Sequence, residues 1–319
     1  MFAVSSTATP VLVARNAMAT RFEIALHGDN PAFLRAAAEE ALDEVDRLEN
    51  QLSLYRPGTE IARVNAQAHL APVRVSPGVF RLLERARTLS VETQGAFDIT
   101  IAPLVRAWGF MGGTGAMADP QAVAEARRQV GIHLVAHDAN EFTVRFAREG
   151  VMLDLGAIGK GYALERAAEL LREAGVTSAL IHGGTSSTFA IGRQPNGDRW
   201  KVAITAPFNQ SDRPFAIVEL EDESLSVSAV WGRSFRAGEK ILGHVIDPRT
   251  GEPAAKAFMT AVVLPSPTEG DALTTALLTA PELLDPLHAA RPAMKSLVVS
   301  GEPTAPIVRG HGIIPLAAS

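Results

Sequence analysis

Apolar residues recur at helical spacing after the helix-start signal Asn30-Pro31: Leu34, Ala38, Ala41, Val45 and Leu48 form one stripe between acidic residues. This spacing predicts an amphipathic helix packed on something flat. Ser76-Pro77 opens a second helix carrying Phe80, Leu83 and Ala86, and Asp119-Pro120 opens a third through Val123 and Arg127. Short apolar or alternating runs predict strands at 22–26, 151–155, 178–181, 201–204, 216–219 and 258–264.

Strands outnumber helices in the second half. Between 188 and 264 they follow one another with turn signals at Pro195-Asn196-Gly197-Asp198 and Asp247-Pro248-Arg249-Thr250-Gly251, as an antiparallel meander would. The expected class is therefore α+β, rich in antiparallel sheet, rather than a doubly wound parallel sheet. Residues 1–14 read as an extended N-terminal segment and 15–300 as one domain with a helical and loop subregion at about 100–135. Segment 111–118, rich in Gly and Ala, reads as a flexible loop, and 301–319 as a weakly patterned tail.

Composition narrows the function. With 319 residues, 47% of them apolar, the chain can bury a large core. A formal net charge of -5 and no long Lys/Arg run leave no electrostatic footprint for nucleic acid or anionic lipid. The absence of cysteine removes disulfides, thiolate metal sites and a cysteine nucleophile, so any metal must sit on oxygen or imidazole. No apolar run is long enough to span a bilayer, and Met1 to Ala14 lacks an export pattern, so the expected compartment is the cytoplasm.

The sharpest local feature is Asp154-Leu155-Gly156-Ala157-Ile158-Gly159-Lys160-Gly161, placed between a predicted strand and a helix that runs to Ala174 and stops at Gly175. Backbone amides at such a helix start can hold phosphate. The glycine spacing fits neither a dinucleotide fingerprint nor a P-loop, so a generic glycine-rich turn is an equal reading. Next, His182-Gly183-Gly184-Thr185 follows a strand, where paired glycines would let a bulky ligand lie against bare backbone or simply mark a bulge.

Asp271 and Thr275 lie one helical turn apart, so both oxygens share a face. That pair suits a hard cation such as Mg²⁺, although an Asp near a helix start also serves as a cap. His244 lies on a predicted strand just before the Asp247–Gly251 turn, and alternation puts His244 and Asp247 on opposite faces. An imidazole beside a phosphate and a metal could accept a hydroxyl proton near neutral pH. Tyr55, in Leu52 to Asn65, offers a flat ring that could stack on a ligand or fill the core.

In this order and spacing the segments resemble the FAD:protein FMN transferase family, the ApbE-type proteins, over about residues 15 to 280. The matching motifs are Met18-Ala19-Thr20, Ser53 to Asn65, Gly95 to Phe110, Asp154 to Tyr162, Gly243 to Gly251 and Asp271 to Ala276. The resemblance implies an ApbE-like (T-fold-like) fold of two related β-α-β units, with FAD in the cleft between them and Mg²⁺ at its pyrophosphate. Asp271 and Thr275 match the side-chain metal ligands, and Gly159 the backbone carbonyl ligand. Tyr55 matches the ring against the flavin, while Met18, Ser53, Thr59, Glu60, Asp98, Gly183, Gly184 and Thr260 fall in motifs lining the FAD cleft. His244 and Lys160 match positions near the transferred phosphate.

The implied reaction moves FMN from FAD to a Thr or Ser hydroxyl of an acceptor flavoprotein subunit, at an Asp-Gly-x-Thr/Ser-Gly-like site, and releases AMP. Its rivals are hydrolysis of FAD to FMN and AMP, and binding of FAD without cleavage. Three positions depart from the family pattern: Ala19 and Ala229 where glycine is usual, and Thr185 where aspartate is usual. The last removes a charge beside the expected flavin cleft.

Overall fold

The first hairpin turns on two residues in left-handed backbone conformation. β1 (Val11–Ala17) and β2 (Thr20–Leu26) form a hairpin whose turn residues, Met18 and Ala19, have φ of 49° and 58°. Positive φ at both central positions matches the twist of the flanking strands. The structure, a computed structural model, describes residues 9–205, 213–238, 240–302 and 305–316.

α1 (Pro31–Leu52) follows, its first turn closed by the Asn30 side chain accepting the Phe33 N–H. α2 (Glu60–Gln67), β3 (Val73–Arg74), α3 (Pro77–Glu92), α4 (Ala102–Ala107) and α5 (Pro120–Arg127) lead to β4 (Val135–Asp138) and β5 (Thr143–Phe146). α6 (Gly159–Glu173) then returns the chain to β6 (Ala179–Gly183) and β7 (Ser187–Ile191). β8 (Trp200–Thr205), β9 (Pro214–Leu220), β10 (Ser224–Ala229), β11 (Ser234–Ala237), β12 (Lys240–Gly243) and β13 (Met259–Leu264) come next. α7 (Pro267–Thr279), α8 (Leu284–Ala290), β14 (Lys295–Glu302) and β15 (Ala305–His311) complete the order.

An eight-stranded antiparallel sheet runs β1-β2-β6-β7-β10-β13-β14-β15. Its halves repeat one plan. In each, a helical crossing joins two strands that end up side by side, β2 with β6 and β13 with β14. The halves meet at β7 and β10 through three residue pairs, Ser187↔Ser226 to Phe189↔Ser224. The expected α+β class with two related units is therefore the observed one.

Helices α1, α6 and α7 pack side by side over the sheet. Small residues permit the close approach: Ala38 and Ala41 on α1, and Ala163, Ala167 and Ala168 on α6, are buried. Burying Leu164 and Leu171 between helix and sheet contributes roughly 1.5–3 kcal/mol each. α7 is buried nearly all round, from Gly270 to Leu278, which identifies it as the central helix. A smaller second core holds Leu104, Trp108, Phe110, Val123, Ala126 and Ile246, with Phe235 and Leu242 of the β11–β12 hairpin packed on it. Among the described residues no helix is long and apolar enough to cross a membrane.

Four local expectations change. Residues 151–155 form no strand and pair with none. The Asn65 side chain takes that place, accepting the Leu153 N–H at 2.7 Å and donating to its carbonyl at 3.0 Å. The 188–264 stretch is not one meander: β8–β9 and β11–β12 leave the main sheet as separate two-stranded hairpins. His244 lies just past the end of β12 rather than within a strand. The stretch after Ser300 supplies β15, the sheet's edge, whose residues 305–310 are exposed on both faces and so carry no apolar alternation to read.

Candidate active site

A cavity of about 850 Å³ opens at the seam between the two halves of the sheet. Thr185, Ser186 and Thr188 line it from one half, and Leu225, Val227 and Met259 from the other. Of the residues singled out in the sequence, Met18, Tyr55, Asp98, Lys160, His244, Asp271 and Thr275 line this one space.

The glycine-rich turn and α7 are brought together by a missing side chain. A Cβ on Gly161 would strike the Pro267 carbonyl and stand 3.0 Å from the Asp271 Cβ. Glycine there lets the first turn of α6 cross α7 at backbone contact. The Gly161 N–H consequently donates to Asp271 Oδ2 at 3.1 Å, and Lys160 Nζ lies 3.8 Å from the same oxygen. Asp271 is buried, and one turn later the Thr275 hydroxyl donates to the Asp271 carbonyl at 3.2 Å. Both side-chain oxygens keep lone pairs for a cation.

Among the described residues there is no group of three or more His, Cys, Asp or Glu able to hold a metal. A cation at Asp271 and Thr275 would therefore complete its shell with carbonyl, water and substrate oxygens. That donor set is all hard oxygen and suits Mg²⁺.

His244 is aimed by the β11–β12 hairpin. Its backbone N–H and its Nδ1 both reach the Arg233 carbonyl, at 2.9 and 3.1 Å. A carbonyl only accepts, so Nδ1 carries the proton and Nε2 keeps the free lone pair. Burial, helped by the Arg233 and Lys160 cations, holds the imidazole below its ordinary value and hence neutral. The Phe110 ring meets it edge-on at 6.4 Å, tying the imidazole to the smaller core.

Tyr55 stands 56% exposed at the cavity wall, on a loop built by two hydroxyls. Ser53 Oγ accepts the N–H groups of Tyr55 and Arg56, and Thr59 Oγ donates to the Ser53 carbonyl at 2.6 Å. Ser53 and Thr59 are thus not lining residues; they shape the loop that presents Tyr55. Glu60 also lies off the cavity, accepting the Ser76 N–H that starts α3. Asp98 lines the cavity, but its carboxylate is occupied by Ser90, the Thr100 N–H and hydroxyl, and the Ile132 N–H. Thr260 is buried and donates to the Thr274 carbonyl, fastening β13 to α7. Gly183 ends β6 and Gly184 follows it, just before Thr185, and Gly159 is buried at the start of α6, with Gly156 and Ala157 at the cavity instead.

Two charged lining residues, Asp154 and Arg233, were not singled out individually from the sequence. Burial pushes the Asp154 carboxyl up, opposed by the Gly156 N–H and by Arg233 and Lys160. Its signal was an acid two residues ahead of the glycine turn. Arg233 donates to the carbonyls of Phe110 and Gly113, clasping the 110–113 loop to β11. No local pattern marks it, because its partners are more than a hundred residues away.

The family model described as the ApbE family matches residues 18–291. A FAD:protein FMN transferase of Treponema pallidum is 32% identical over 272 residues, covering 81% of this chain and 75% of that one. One from Klebsiella pneumoniae is 29% identical over 284 residues, covering 86% and 79%. The fold matches the apo flavinyl transferase ApbE of Pseudomonas stutzeri with a TM-score of 0.82 at 26% identity, over 95% of each chain. It also matches the ApbE protein of Thermotoga maritima with a TM-score of 0.85 at 23% identity, over 95% of this chain and 97% of that one. A family model spanning most of the sequence and near-complete structural overlap have one meaning: the chain belongs to the ApbE family.

Proposed function

We propose that the protein transfers FMN from FAD to a threonine or serine hydroxyl of an acceptor protein, with Mg²⁺ as cofactor and AMP as the second product. The observation that carries this reading is a single cavity joining an exposed aromatic, a neutral histidine, a lysine and an oxygen pair fit for a cation. Tyr55 offers its ring to the isoalloxazine. Asp271 and Thr275 would hold the ion, which would supply Lewis-acid stabilisation of charge on the pyrophosphate.

The chain's own groups do the rest. Lys160 Nζ donates to phosphate oxygens and keeps the reacting phosphorus in place. His244 Nε2 takes the proton as the acceptor oxygen bonds to the FMN phosphorus. The bond from that phosphorus to the bridging oxygen breaks, and AMP leaves with the electron pair.

The test is to incubate the protein with FAD, Mg²⁺ and a flavinylatable acceptor and to weigh the acceptor. A gain of one FMN supports transfer. Free FMN and AMP with an unmodified acceptor point to hydrolysis, and intact FAD points to a binding protein.

A further inference from the structure

A protein acceptor must bring a hydroxyl into the cavity, and one wall is built to receive main chain. β8 pairs with β9 alone: among the described residues no backbone hydrogen bond joins β8 to any other strand. The direction of its spare groups follows from β9. The Leu316 N–H donates to the Phe215 carbonyl at 2.8 Å, so Phe215 turns its backbone groups away from β8 and Ala216 turns its own inward. Ala216 stands opposite Ile204, and Val218 opposite Val202. Alternation then sends the N–H and C=O of Lys201 and Ala203 to the free side.

That free side meets the cavity. Val202, Ala203, Ile204 and Thr205 all line it. Successive side chains point to opposite faces of a strand, so four residues in a row reach one space only where it touches the strand along its edge. The same space reaches His244 and Lys160.

We infer that the free edge of β8 docks the acceptor as an added strand, which carries its hydroxyl toward His244. This rests on the transferase reading above. Main-chain pairing supplies affinity without demanding particular side chains.

The probe is a synthetic peptide carrying an Asp-Gly-x-Thr-Gly segment, with FAD, Mg²⁺ and the full chain. Backbone N-methylation is walked along it one residue at a time. Strand pairing gives a period of two: alternate N-methyl groups lower kcat/KM about tenfold, and the intervening ones change little. Ala203→Pro removes one outward N–H while sparing the ladder to β9, and should raise the KM for the peptide about tenfold. FAD titration of that variant reads whether its cavity is intact. Uniform sensitivity along the peptide, or an unchanged KM in a variant that binds FAD, overturns the docking. Transfer to an intact acceptor but never to the peptide overturns it too, whereas transfer to neither overturns the transferase reading instead.

Discussion

Lys160 Nζ and Asp271 Oδ2 stand 3.8 Å apart although 110 residues of chain separate them. Gly161 creates this meeting by letting α6 lie against α7. In the proposed reaction both groups would face the pyrophosphate of FAD, Lys160 as a hydrogen-bond donor and Asp271 as a holder of the cation.

Gly161→Ala should force the two helices apart, because the new methyl group has no room beside Pro267. We expect a loss of about 1–3 kcal/mol in urea unfolding, with weaker FAD binding in whatever remains folded.

Asp271→Asn keeps size and hydrogen bonding but removes the charge that would attract a cation. FMN transfer should fall by at least about a hundredfold, and Mg²⁺ should no longer tighten FAD binding in a fluorescence titration.

The pH profile follows from the burial of His244. A base acts unprotonated, and this imidazole is held below its ordinary value. Initial rates should therefore stay level as pH falls through the usual imidazole range and drop only beneath it. The unfolded chain takes up that proton at higher pH than the folded one, so the stability this residue contributes is lost as pH falls below the usual range. His244→Ala should slow transfer by about 10²–10⁴-fold while leaving FAD binding in place.

Ala19 occupies a left-handed position, φ 58°, where glycine would be free of strain. Ala19→Gly should raise stability by roughly 0.5–1 kcal/mol, read as a shift of the urea midpoint.

Three helices were legible because each carries its own punctuation: Asn30-Pro31, Ser76-Pro77 and Asp119-Pro120 all open helices in the structure. The motif residues were legible as a family signature. Their separate duties were not, since Ser53, Thr59 and Thr260 stand in motifs with lining residues yet act by holding backbone. Nothing local distinguishes a hydroxyl that meets a ligand from one that meets a carbonyl.

What the sequence determined by itself was the class of fold, the starts of the Pro-opened helices α1, α3 and α5, and the set of chemical groups, because periodicity, caps and side-chain types are local properties. Only the tertiary structure decided which groups meet. It spent the carboxylate of Asp98 on four internal donors, gave the 151–155 segment a side chain for a partner, and drew Asp154 and Arg233 into the cavity. Those outcomes depend on contacts between segments far apart in the chain, and such contacts exist only once the two halves of the sheet have closed on each other.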